Sequence, residues 1–176
     1  MTNSALHWYV GYVKPYQERK SAEALEKLGV EYFLPVQQEK RKYSDRVKVV
    51  DVLILPRMIF VRSTESRRCK LLEDVYGLYA FMSNGTYHPV VVPDQQMKDF
   101  RFMVEHGSGK VKVSSSPFSP GDRVKVVDGP LKGLLCELVA VGEKRCVAVR
   151  LGTVGTALLD LSPADLALIQ QVEQKQ

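Results

Sequence analysis

Val47-Lys48-Val49-Val50-Asp51-Val52-Leu53-Ile54-Leu55, closed by Pro56-Arg57 and followed at once by Met58-Ile59-Phe60-Val61, is the stretch on which the fold turns. β-Branched and aliphatic residues in runs bounded by proline read as strands. Tyr32 to Val36 is also strand-like, and the polar run Gln37 to Arg46 separates it from Val47. The pattern predicts a long hairpin with a basic tip, then a further strand after Pro56.

Working outward, Trp8-Tyr9-Val10-Gly11-Tyr12-Val13 is aromatic and β-branched, and Pro15 ends it. Ala22, Leu25 and Leu28 then recur at helical spacing, with Gly29 as the stop. A short helix over Ser66 to Asp74 and a strand near Leu78 to Met82 follow. Pro93-Asp94 opens a helix that places Met97, Phe100, Met103 and Val104 on one side. Helices against a mostly antiparallel sheet make this an α+β domain.

Composition changes at Gly107-Ser108-Gly109-Lys110-Val111-Lys112-Val113-Ser114-Ser115-Ser116-Pro117, where large apolar residues vanish. Such a stretch buries too little surface to offset its ordering entropy, so residues 107–118 read as a flexible linker. Beyond it, Asp122 to Val127, Leu134 to Val141, Val147 to Leu151 and Thr156 to Leu161 are short strand-like runs. Turn signals at Asp128-Gly129-Pro130 and Val141-Gly142-Glu143 separate them, as in a small all-β barrel. The expected organisation is a first domain over 1–106, the linker, and a second domain over 119–176.

With 45% apolar and 26% charged residues in 176, the chain falls outside the disordered and fibrous classes. No run approaches the roughly 20 apolar residues that span a bilayer, since Asp51, Pro56 and Arg57 interrupt even Val49 to Phe60. The N-terminal Met1 to His7 lacks a basic and then apolar leader, and Cys69, Cys136 and Cys146 form no CxxC pair. A reducing cytoplasm is expected. The net charge of +5 fits an acidic partner such as nucleic acid, and the excess sits in the first domain and linker, because 119–176 carries 7 basic and 7 acidic residues.

The segment Pro120-Gly121-Asp122-Arg123-Val124-Lys125-Val126-Val127-Asp128-Gly129-Pro130-Leu131-Lys132-Gly133 resembles the KOW motif, which opens a small SH3-like barrel. Together with Trp8-Tyr9-Val10 and Leu55-Pro56-Arg57-Met58-Ile59-Phe60-Val61, it makes the chain similar to the NusG family of transcription elongation factors over Trp8 to about Leu168. Lys14-Pro15, Tyr43-Ser44-Asp45-Arg46, Gly77 to Phe81 and Val91 to Gln95 look most like the UpxY-type antiterminators of capsular and exopolysaccharide operons. That resemblance implies a cytoplasmic, nucleoid-associated bacterial protein that suppresses pausing or termination in specific operons. The alternatives it leaves are a general elongation or termination factor, and a ribosome- or RNA-associated KOW module. Three departures stand out: Leu55 replaces a usual aromatic, Met58 a common tyrosine, and Cys136 a usual glycine.

The resemblance also implies partners. The first domain is expected to dock on the clamp coiled coil of the largest RNA polymerase subunit through Tyr12, Leu55, Pro56, Met58, Phe60 and Phe81. Period-two geometry puts Met58 and Phe60 on one face and Ile59 and Val61 on the other, so one set is core and the other a contact surface; ordinary sheet core is the bland alternative. Lys40, Arg41, Lys42 and Arg46 at the hairpin tip are candidate contacts to single-stranded or duplex DNA, and Lys14, Gln17, Arg19 and Lys20 at the first helix are candidate contacts to the non-template DNA strand of the elongation complex. Both sets also suit a solvated charged face. Asp128, Gly129, Pro130 and Leu131 are the candidate contact for a small-subunit ribosomal protein or a termination factor, with Leu131 as a core residue the alternative. His7, His88 and His106 stand in no metal-ligand spacing and no nucleophile or phosphate-loop motif occurs, so neither catalysis nor a cofactor is expected. A monomer without membrane attachment is the expected state.

Overall fold

The computed structural model describes residues 5–85, 87–107, 110–116, 121–161 and 169–172. The chain divides into two compact units, Met1–Asp94 and Gln95–Gln176.

In the first unit, β1 (His7–Val13), α1 (Glu18–Lys27), β2 (Tyr32–Phe33), β3 (Val36–Lys42), β4 (Val47–Leu53), β5 (Met58–Ser63), α2 (Glu65–Asp74), β6 (Leu78–Phe81) and β7 (Val91–Val92) follow in order. β1 is central: β5 pairs along one edge, β6 and β7 along the other, and β2 lies outside β5. All these pairings are antiparallel, as the α+β reading requires. Alternation puts Val13, Ile59 and Val61 on one face, where they pack with Ala22 and Leu25 of α1, Leu71 of α2, and Leu78. The helix spacing read from sequence therefore marks the buried stripe of α1. Its end is closed by Gly29 in the left-handed region at φ 63, with Leu28 and Gly29 donating to the carbonyls of Ala24 and Glu26. For α2, the Thr64 hydroxyl accepts from the Arg67 N–H at 3.3 Å.

Two sequence expectations change here. β5 is not divided into a core face and an open face, because Ile59, Phe60 and Val61 are all fully buried. The polar run from Gln37 is not a connector: β3 and β4 pair in unbroken register from Val36↔Leu53 to Lys42↔Val47. Pairing to the valine-rich β4 carries a polar sequence into a strand, which local propensity alone would not do. The tip shrinks to residues 43–46.

The second unit holds most of α3 (Asp94–His106), then β8 (Val111–Ser114), β9 (Asp122–Val126), β10 (Leu135–Val141), β11 (Lys144–Arg150), β12 (Thr156–Asp160) and β13 (Ile169–Gln171). Its sheet is antiparallel in the order β13-β9-β10-β11-β12-β8. Val139, Cys146, Ala148 and Leu158 pack on one side of it. The segment expected as a flexible linker contains β8, whose Val111 and Val113 oppose Leu159 and Ala157. Two alternating valines suffice for a strand once an edge accepts them; residues 108, 109, 117 and 118 lie outside the described set. α3 groups with this sheet: Gln96 Oε1 accepts from Gly152 N–H at 2.9 Å. The sequence pattern alone assigns that helix to the first domain, over 1–106, whereas all of it beyond Asp94 falls in the second unit.

Candidate docking surfaces

Three loops of the first unit meet at the end of β1. Val13 N–H donates to the Arg57 carbonyl at 2.9 Å, and Lys14 N–H to the Gly77 carbonyl at 2.8 Å. Arg57 N–H donates to Glu18 Oε1 at 3.1 Å, and Ser21 Oγ donates to the Tyr76 carbonyl at 3.0 Å. The connections β1–α1, β4–β5 and α2–β6 are thereby locked into one surface. Tight turns achieve it: Tyr16 (φ 63), Arg57 (φ 65) and Gly77 (φ 96) are left-handed. At Gly77 a Cβ would lie 2.8 Å from Ser21 Oγ and 2.9 Å from Gln17 Cβ, so glycine is required by space as well as by φ.

This surface carries a row of tyrosines. Tyr16 is 94% exposed, Tyr76 72% and Tyr79 47%. Lys14 Nζ lies 5.3 Å from the Tyr76 ring centroid, a cation–π contact. Tyr79 stacks on Tyr12 with centroids 6.3 Å apart, and its hydroxyl accepts from the Arg57 guanidinium at 3.4 Å. Lys20 is exposed, and Arg19 pairs with Asp51 of β4 at 3.4 Å. Gln17 Oε1 is shielded from solvent and accepts no hydrogen bond among the described residues. Of the sequence candidates, Lys14, Gln17, Arg19 and Lys20 are thus brought together, and the structure adds Tyr16, Tyr76 and Tyr79, which were not among the candidate contacts. Their signal was faint: aromatics placed next to turn residues, as in Pro15-Tyr16 and Tyr76-Gly77.

The six residues expected to grip polymerase are not one patch. Tyr12, Leu55 and Met58 are half-buried, Pro56 is exposed, and Phe60 is fully buried. Phe81 lies opposite Gly11, hence on the helix-covered face, away from Tyr12 and Met58. There it meets Tyr9 edge-on at 6.1 Å, under the Arg68 guanidinium at 5.2 Å. Burial, then a hydrogen bond to Glu65, pushes the Tyr9 hydroxyl up to about 12, while Arg68 holds the Glu65 carboxyl below its ordinary range. This network fastens α2 to the sheet and keeps Phe81 occupied.

Lys40, Arg41, Lys42 and Arg46 are all exposed on the hairpin, and among the described residues the one ion pair they form is Arg46 with Asp45 at 3.8 Å. In the second unit, Asp128, Gly129 and Pro130 form an exposed turn, while Leu131 is buried. Gly129 (φ 82) and Gly133 (φ 95) fold the turn back, with Gly133 N–H on the Val126 carbonyl at 2.8 Å, and this carries Leu131 inward. Cys136 is a buried thiol pushed up to about 12 by desolvation. Cys146, raised to about 11 by burial and then by its bond to Asp160, is equally unreactive. Among the described residues there is no cluster of metal-ligating side chains and no helix long and apolar enough to cross a membrane.

Residues 6–101 match the family model described as "Transcription termination factor nusG". Among solved structures, the chain is similar to "Domain interaction in Thermotoga maritima NusG", at 20% identity and a TM-score of 0.49, over 96% of this chain and 98% of that one. It is also similar to the MjSpt4:Spt5 complex in conformation A, at 11% identity and a TM-score of 0.31, over 94% of this chain and 98% of that one. For conformation B the values are 16%, 0.29, 96% and 99%. No curated protein sequence matches the chain.

Proposed function

Because the chain belongs to the NusG family of transcription factors, with the family model covering more than half of it, we propose that it rides on elongating RNA polymerase and suppresses pausing or termination in a restricted set of operons. Surface-polysaccharide operons of the UpxY type fit the motifs at Lys14-Pro15 and Tyr43 to Arg46. The observation that carries this reading is the locked surface at the end of β1, where cations and exposed tyrosines are combined. Lys14 and Lys20 attract phosphates, and Tyr16 and Tyr76 offer rings to unstacked bases. A non-template strand separated from its complement in the transcription bubble supplies both. Tyr12, Tyr79, Leu55, Pro56 and Met58 supply the adjoining apolar contact for the polymerase clamp. The second unit acts as a KOW-type barrel that recruits a ribosomal protein or a termination factor through the exposed Asp128 to Pro130 turn. Cytoplasmic residence follows from this role.

Holding the clamp closed is differential binding to one polymerase conformation, and binding alone sets the size of the effect. The test is single-round transcription by purified polymerase through a terminator, with the full chain added. Increased readthrough supports the proposal, and unchanged readthrough despite measured polymerase binding defeats it. A second reading, support of termination as a general factor, is favoured by the description of the matched family; decreased readthrough would select it.

A further inference from the structure

The β3–β4 hairpin is a sheet of its own, since its strands pair only with each other among the described residues. At about 3.4 Å per residue the paired strands run roughly 23 Å. Their register gives each face a fixed composition. One face carries Lys42, Lys40 and Gln38 opposite Val47, Val49 and Asp51, and all six are exposed. The other carries Arg41, Glu39 and Gln37 opposite Lys48, Val50 and Val52, and four of these six are half-buried. The open face therefore interleaves cations with valines that are 61% and 56% exposed. Its acid, Asp51, is paired with Arg19 at the root. Residues 40–48 hold five basic residues against one acid, so nearly all of the chain's net charge of +5 is concentrated there.

We infer that this face is a ribbon that lies in a groove of duplex DNA, with Lys40 and Lys42 on the backbone phosphates and Val47 and Val49 against base edges. The inference rests on the nucleic-acid reading given above and commits this hairpin to duplex DNA, with a groove and a role for each face residue. Two strands about 4.8 Å apart, with their side chains, fit a major groove about 12 Å wide. Thymine methyl groups in that groove are apolar partners for valine. A single strand calls for stacking rings, and this face has none: Tyr43 sits in the turn, and Tyr16, Tyr76 and Tyr79 belong to the surface at the end of β1. An RNA duplex offers a major groove too narrow for side chains to read.

Fluorescence anisotropy of the full chain with a short DNA duplex, the matching single strand and the matching RNA duplex, each over a salt series, tests this. The expected order is DNA duplex tightest. Lys40→Ala with Lys42→Ala lowers the magnitude of the salt slope for duplex by about 1.8, as for two lost phosphate contacts. Val47→Ser with Val49→Ser, which removes every methyl group of the pair, weakens duplex binding several-fold at an unchanged slope. Thermal melts confirm that both variants fold, which exposed sites allow. Equal affinity for single strand and duplex, an unaltered slope in the lysine variant, or valine variants that bind duplex normally would each overturn the inference. Valine variants that lose polymerase binding while keeping duplex binding would assign the face to a protein instead. Readthrough by wild type on the terminator template separates the two claims: if it persists while the hairpin variants bind duplex as wild type does, only the ribbon fails.

Discussion

Tyr16 holds a left-handed backbone with its ring 94% exposed. Strain of about 1 kcal/mol at a non-glycine residue persists where the surroundings enforce it, and such sites gather at binding surfaces. Tyr16→Gly is therefore expected to raise stability by about 0.5–1 kcal/mol while lowering readthrough, because φ is relieved and the ring is lost. A melt paired with the transcription assay checks this, and unchanged readthrough would remove the ring from the interface. Gly77→Ala acts in the opposite sense, with an expected loss of about 1–3 kcal/mol, since both φ and the Ser21 contact oppose a Cβ. Phe60 was legible as apolar but not as wholly buried, because period two describes one strand and says nothing about what covers it. Truncation to alanine there costs about 3–5 kcal/mol in a melt. Loss of polymerase binding in that variant would thus report folding, and Tyr79→Ala is the informative change at the docking surface.

At the scale of elements, Glu137 on β10 joins three parts of the second sheet. Its carboxylate accepts from Arg150 Nε and Nη2 at 2.8 Å each, and from the Gly121 N–H at 3.2 Å. The Arg150 hydrogen bonds, foremost, hold its pKa below the ordinary value of 4.5. A carboxylate depressed on folding contributes stability at pH values above its unfolded pKa, and that contribution disappears as pH falls through the folded value. Glu137→Gln is accordingly expected to cost about 1–3 kcal/mol at neutral pH and little below the folded pKa, as read from urea melts across pH. An equal cost at all pH values would show that charge is not the cause. Strands β1, β4 and β5 and helices α1 and α3 were legible because each has its own apolar period. β3 and β8 were not: Gln37 to Lys42 and Val111 to Ser114 become strands through partners distant in sequence, β8 pairing with Thr156 to Leu159. Tyr79 was hidden for a similar reason, since its place beside Tyr12 depends on a register shift between Tyr12 and Val13.

For the molecule as a whole, the family was legible because its motifs are local, whereas the surface proposed to serve its function is assembled from three connections and had to be folded to be seen. Lys14, Gln17, Arg19 and Lys20 fall within seven consecutive residues that run from the end of β1 into the start of α1, so their closeness was legible in sequence. Tyr76 and Arg57 come to the same place from far along the chain: the Tyr76 carbonyl accepts from Ser21 Oγ, the neighbouring Gly77 carbonyl accepts from Lys14 N–H, and the Arg57 backbone accepts from Val13 N–H and donates to Glu18 Oε1. This surface is proposed to serve antitermination in a few operons, and sequencing of nascent transcripts in cells with and without the protein is the decisive measurement. Removal is expected to lower promoter-distal transcription in a small set of long operons and to leave other transcription units unchanged. Uniform change across the genome, or increased distal transcription on removal, would contradict it.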